Sequence, residues 1–307
     1  MAPFLALIFT LAVTGSSFAK DKLSLEKMTS GIQKSDEIAA LYKLTADLQK
    51  DPAKELKPLL QANQKPLAQL QKEFLESANF IRGEIESEKV LNQLMACLQL
   101  SMLKSRAHSF QSEWPQMQNE FSSWFLFAAD FPYEESSLVG LRTSGVIRSL
   151  LLDELEKIQT RFAAQLASQP TFRQWFLKVR APWPVDRVLI SEAKRLLKPP
   201  MMSVANAAAR AFQKNPYQTS QQALEKIKGG QSEGAELLKQ IWREADIQLM
   251  KTEINRIGKL KLRLAKAEFE NVNKKAPDSV QTLLNAGLLD QAPVDYFTGK
   301  ALDLTSL

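Results

Sequence analysis

The chain has 307 residues, with 40 Lys plus Arg against 34 Asp plus Glu, and it is 45% hydrophobic and 24% charged. Those proportions belong to a folded globular protein and exclude both a charged disordered tail and a polytopic membrane protein. One Cys forbids an internal disulfide, and one His leaves too few ligands for a His-rich metal centre or for most nucleophile-plus-imidazole catalysis.

No cofactor and no metal are expected, and an enzyme is disfavoured. Gly (11) and Pro (14) are sparse while Leu, Ala, Gln, Lys and Glu abound, which points away from strands and turns. The expected class is all-α: a multi-helix bundle or an irregular α-solenoid of helical hairpins with a short extended C-terminal tail.

Residues 4–13 are a nearly unbroken apolar run, followed by the small residues Ser17 and Ala19 and the charged Lys20, Asp21 and Lys22. Ten apolar residues are too few for a hydrocarbon layer of about 30 Å, so the pattern reads as a secretory signal peptide cleaved after Ala19. Its first region carries no Lys or Arg, so an uncleaved anchor is the alternative. The mature chain is therefore expected outside the cytoplasm, periplasmic or secreted. The domain reading is a signal peptide at 1–19, a helical domain at 20–228, and a long helix, a short helix and a tail at 231–307 packed on the same body.

Ile38, Leu41, Thr45 and Leu48 recur at helical spacing, as do Leu67, Leu70, Phe74, Ala78 and Ile81. Between them, Asp51 followed by Pro52 predicts an N-cap with Pro at the first helical position of a short helix reaching Leu60. Leu91, Leu94, Leu98 and Met102 predict a helix over 87–110, and Val90, Leu94 and Cys97 share a stripe on it that buries the thiol. A helix over 114–129 is expected to break at Phe131, Pro132 and Tyr133. Leu151, Leu155, Ile158, Phe162 and Leu166 give the cleanest periodicity and predict a helix central to the core, with Pro170 beyond its end.

Pro182, Pro184, Pro199, Pro200 and Pro216 punctuate the next stretch, and Trp175 and Trp183 flank its start; short helices joined by corners are expected. Thr219 with Gln222 predicts a helix start, and Gly229 with Gly230 a hinge. The longest helix is expected over 232–273. Asp278, with Gln281 three residues on, predicts the cap of a last short helix that stops at Gly287, and the tail after Pro293 is expected to be extended. Asp295 should cap the turn at 296–299, with Gly299 at positive φ and Phe297 pinning the tail to a helix.

The segment Pro277, Asp278, Ser279, Leu283, Leu284, then Pro293, Val294, Asp295, Tyr296, Phe297, Thr298, Gly299, Lys300, Ala301 and Leu302, resembles the ending of a group of uncharacterised exported bacterial helical proteins. That group closes with Pro-x-Asp-Pro-Phe-Thr-Gly-Lys-Pro-Leu, and here Tyr296 and Ala301 replace two of the prolines. Weaker similarity runs through Gln61, Ala62, Asn63 and Leu67, and from Leu138, Val139 and Gly140 to Leu155. The tail is also similar to that of type II secretion pseudopilins, although their cleavage site and Glu-bearing hydrophobic helix are lacking. The resemblance implies an exported helical protein and brings no activity with it. Some pseudopilin tails hold calcium, for which Asp290, Asp295 and Asp303 would be the counterparts; a structural turn is the favoured reading.

Catalytic patterns are few. Glu76 and Ser77 resemble the Glu-Ser signature of lytic transglycosylases, in which one buried Glu acts as acid and base, but the downstream Gly-Leu-Met-Gln segment is missing. Ser101 with Lys104 matches Ser-x-x-Lys, as does Ser24 with Lys27, and neither has the partner motifs of the penicillin-binding proteins. His108 near Ser105 suits a helix C-terminus better than catalysis.

The remaining signal is charge: Lys251, Arg256, Lys259, Lys261, Arg263 and Lys266 face only Glu253 over sixteen residues. This basic stripe is the candidate contact surface of a non-catalytic interaction or scaffolding module, for another envelope protein or an anionic envelope component and not for nucleic acid. Two alternatives stand beside it, a cell-wall glycan lytic enzyme using Glu76 and peripheral binding to anionic membrane through the same stripe. Oligomeric state is open.

Overall fold

The computed structural model describes residues 29–75, 88–135, 138–180, 206 and 244–307. Among these the protein is all-α, with no strand and a single isolated bridge. The helices are α1 (Ser35–Leu44), α2 (Ala53–Ala62), α3 (Gln64–Leu75), α4 (Glu88–Phe110), α5 (Trp114–Glu135), α6 (Leu138–Arg161), α7 (Ala163–Ala167), α8 (Pro170–Leu177), α9 (Glu244–Asn273) and α10 (Val280–Asn285). The expected signal peptide, Glu76, Ser24 with Lys27, Ala78, Ile81, Trp183, the Thr219 cap and the Gly229–Gly230 hinge lie outside the described residues.

Short connections fold α4, α5 and α6 against one another, and α9 packs against α6, α7 and α8. Leu151, Leu155, Ile158, Phe162 and Leu166 are all buried, as their spacing requires. Their helix starts earlier than the periodicity suggests and is interrupted at Phe162, whose ring packs edge-on against Phe110 and Trp114, with centroids 5.3 and 5.9 Å away. Ile257, Leu260 and Leu264 of α9 join the same core as the N-terminal helices. Val90, Leu94 and Cys97 line one buried face of α4, and burial pushes the Cys97 thiol up to about 12.

Several local expectations need correction. Helix α1 stops at Leu44, so Thr45 and Leu48 are not in it; Leu48, at φ 54°, is turned back into the core and buried all the same. The break at Phe131, Pro132 and Tyr133 does not occur, since α5 runs through to Glu135. A proline at 132 cannot donate to the carbonyl of Ala128, but Ser144 Oγ and Arg148 Nη1, both from α6, donate to that oxygen instead, the latter at 3.0 Å. At α10 the cap is Ser279, not Asp278: its Oγ accepts the Thr282 N–H at 3.2 Å. Gly287 at φ 67° ends that helix, with Leu288 N–H on Leu283 O and Gly287 N–H on Leu284 O, a Schellman closure.

Buried ion pairs join the helices. Arg106 of α4 holds Glu154 of α6 through Nε (2.6 Å) and Nη2 (2.7 Å), and also donates to the carbonyl of Tyr42 and the hydroxyl of Thr45 next to α1. Arg148 of α6 holds Glu253 of α9 at 2.7 Å, and Arg173 of α8 holds Glu268 of α9 at 2.6 Å while donating to the carbonyl of Leu288. The first two pairs are wholly enclosed. A bidentate carboxylate fits the guanidinium fork, so each pair fixes the lateral register of two helices as well as compensating two charges.

The tail after Pro293 is not extended. It folds back through the bridge between Val294 and Ala301 and ends in a 3-10 turn, Leu304–Ser306. Asn255 of α9 ties it down, donating from Nδ2 to Asp295 Oδ1 at 2.8 Å and accepting the Tyr296 N–H at 2.8 Å. Asp295 Oδ1 also accepts the Phe297 N–H at 2.7 Å, and Gly299 sits at φ 71°. Against partial burial, which opposes it, those N–H bonds hold the Asp295 carboxyl below its ordinary range. Leu289 and Leu302 pack with Leu262, Ala265, Phe269 and Leu283 in a second small core.

Candidate functional site

The six basic residues of α9 do not form one free stripe. At 100° per residue, Arg256, Lys259, Arg263 and Lys266 fall within an arc of about 80°, whereas Lys261 lies on the opposite side. Lys251 is buried, with its Nζ 5.5 Å from the centre of the Phe297 ring, so Phe297 meets α9 through a cation–π contact while remaining 45% exposed. Arg256 is committed to α6, with Nη2 at 2.5 Å from Asp153 and 3.0 Å from Glu156.

Arg263 belongs to a different setting. It lines a shallow groove between α6 and α9 together with Asp153, Glu156, Lys157, Thr160 and Arg161 of α6, and with Asp47. The α6 residues are spaced at i, i+3, i+4, i+7 and i+8, which makes them the outer face of the helix whose inner face is Leu151, Leu155 and Ile158. Arg256 occupies Asp153 and Glu156, so the cations Lys157, Arg161 and Arg263 are left without an ion pair among the described residues. Lys259 and Lys266 continue the same face of α9 one turn to either side. Lys157 and Arg161 were not singled out in the sequence, where they sit in a helix that also carries acids; only the packing of α9 brings them beside Arg263.

Lys261 faces a second concavity, a cleft of about 730 Å³ between the end of α8, α9 and the tail. Its Nζ donates to the carbonyls of Leu177 and Val179 at 2.8 and 2.9 Å, closing the C-terminal end of α8. Burial, and then the neighbouring Arg180 charge, push its ammonium down to about 8, with Asp290 acting the other way.

The other candidates resolve into structure. Ser101 is buried in α4 and its carbonyl accepts from Ser105 Oγ, whereas Lys104 pairs with Glu120 of α5. His108, in the last turn of α4, shares a hydrogen bond of 2.7 Å with Glu113 across the turn. Asp290, Asp295 and Asp303 are not gathered: among the described residues no three His, Cys, Asp or Glu side chains are placed to hold a metal ion. No described helix is long and apolar enough to cross a membrane. The chain matches no protein-family model, no curated protein and no solved structure.

Proposed function

We propose that this chain is a non-catalytic interaction module of the cell envelope and that it receives an acidic partner protein in the groove between α6 and α9. The observation that supports the reading is the meeting of Lys157, Arg161 and Arg263 in one groove where Asp153 and Glu156 are already paired with Arg256, so that three cations there face a single unpaired carboxylate, Asp47, among the described residues. Such a surplus of charge raises the encounter rate with an acidic surface and fixes its orientation. What supports export is the apolar segment at residues 4–13 followed by the small residues Ser17 and Ala19.

The test is crosslinking in intact cells with a tagged full-length chain, comparing the native groove with the triple reversal Lys157→Glu, Arg161→Glu, Arg263→Glu. A control reverses Lys54 and Lys57, two exposed residues of α2. A protein adduct lost in the groove variant and kept in the control supports the reading. An adduct that survives groove reversal, or recovery of wall fragments in place of a protein, contradicts it.

A further inference from the structure

The cleft beside Lys261 has the size and lining of a small-molecule site, since such sites span about 300–1,000 Å³ and combine apolar walls with a few polar groups. Its walls include Val179, Ile254, Ile257, Leu289 and Val294, so an aliphatic body would be in apolar contact. Two cations face the same space. Lys261 spends two of its three N–H donors on the carbonyls of Leu177 and Val179, leaving one, and Arg180 is exposed with no ion pair among the described residues.

Two like charges lining one half-enclosed cleft repel, and an anion between them removes the repulsion. The neighbouring carboxylates limit how negative that anion can be. Asp295 is engaged by Asn255 and the Phe297 N–H, but Asp290 stands exposed at the lip, so a doubly charged phosphate is disfavoured relative to a monoanion. We propose that the cleft binds a monocarboxylate carried on an aliphatic body, with the carboxylate between Lys261 and Arg180 and the aliphatic part against Ile254, Ile257 and Leu289.

Binding in this cleft is independent of the groove and depends on pH. Burial and the Arg180 charge push the free ammonium down to about 8, and a bound carboxylate favours its charged form. Binding above that pH must take up a proton, so affinity falls, by at most about tenfold per pH unit.

The experiment is calorimetric titration of the full chain with decanoate, held below its micelle-forming range, against decanol as the uncharged match. Methyl NMR of Ile254 and Ile257 reports the location. Decanoate is expected to shift both methyls, to bind at least tenfold more tightly than decanol, to lose tenfold or more in Lys261→Met and severalfold in Arg180→Gln, and to weaken from pH 7 to pH 9.5. Equal affinity for decanoate and decanol, binding that leaves the two methyls unmoved, or affinity indifferent to Arg180→Gln and to pH would overturn it. Should Lys261→Met misfold, the exposed Arg180 and the pH series still decide. A parallel titration with acetyl-Leu-Leu, also an aliphatic monocarboxylate, separates the sources: tighter binding than decanoate assigns a peptide C-terminus, and weaker binding a fatty acid.

Discussion

Arg148 of α6 donates to the carbonyl oxygen of Ala128 in α5, the acceptor that Pro132, four residues further along α5, cannot serve. A proline inside a helix costs about 3 kcal/mol, in part because it orphans that carbonyl. Here a neighbouring helix supplies the donor, and α5 continues.

This relationship predicts coupling between two residues on different helices. In Pro132→Ala the backbone N–H returns, so Ala128 depends less on the donors of α6, Ser144 and Arg148. Urea unfolding of the single and double variants should show Arg148→Met costing less in the Pro132→Ala background, by about 0.5–2 kcal/mol. Strict additivity would show that the two residues do not share the carbonyl.

Arg106 and Glu154 should behave as one unit. Arg106→Met leaves Glu154 enclosed with the Tyr42 hydroxyl, at 3.4 Å, as its remaining side-chain partner among the described residues, and is expected to cost about 3–5 kcal/mol. Arg106→Met with Glu154→Met should recover most of that loss, because two apolar side chains of similar volume carry no charge to desolvate. Equilibrium denaturation measures both. A double variant as unstable as the single would mean that the pair is needed for packing shape.

Lys261 sets a pH dependence of stability. Its folded-state value, about 8, lies below its ordinary 10.5, so between those values the unfolded chain holds the proton that the folded chain has released. Stability therefore rises with pH across that window, by up to about 3 kcal/mol, and is flat below it. Tyr42 acts oppositely above pH 10: burial, then the Glu154 charge, raise its phenol, so the unfolded chain ionises first and stability is lost there. Thermal unfolding from pH 7 to 10 should show native stability gaining on Lys261→Met; parallel curves would contradict the depressed ammonium.

Asn255 should control the tail. Asn255→Ala removes both its bond to Asp295 and its acceptance of the Tyr296 N–H, at a cost of about 1–3 kcal/mol. Limited proteolysis within residues 295–300 should become faster while the buried Cys97 stays unreactive to thiol reagents, showing that the body is intact. Unchanged cleavage would place the tail's anchor elsewhere, in the packing of Leu289 and Leu302.

What the sequence makes legible follows from distance along the chain. Leu151, Leu155 and Ile158 announce their buried face within two turns, and Gly287 announces a helix end within a few residues. The ion pairs Arg106–Glu154, Arg148–Glu253 and Arg173–Glu268 join residues 48 to 105 positions apart, so no local pattern shows them. The same reason explains the missed continuity of α5, where Pro132 is visible and its remedy on α6 is not. The basic stripe was legible as composition but not as a surface, because only packing commits Arg256 to Asp153 and Glu156 and turns Lys261 toward the cleft. Ser279 and Asp278 are not distinguishable as caps from the sequence, because both residue types suit that position and one residue of register separates them.

The most direct measurement places a photo-crosslinking residue at Thr160, on the groove, and in a second chain at Gln281, on the exposed face of α10, and compares their adducts in intact cells. The account predicts a discrete protein adduct from Thr160 that disappears when Lys157, Arg161 and Arg263 are reversed to Glu, and none from Gln281. The same adduct from both positions, or one from Gln281 alone, would contradict the groove as the contact surface.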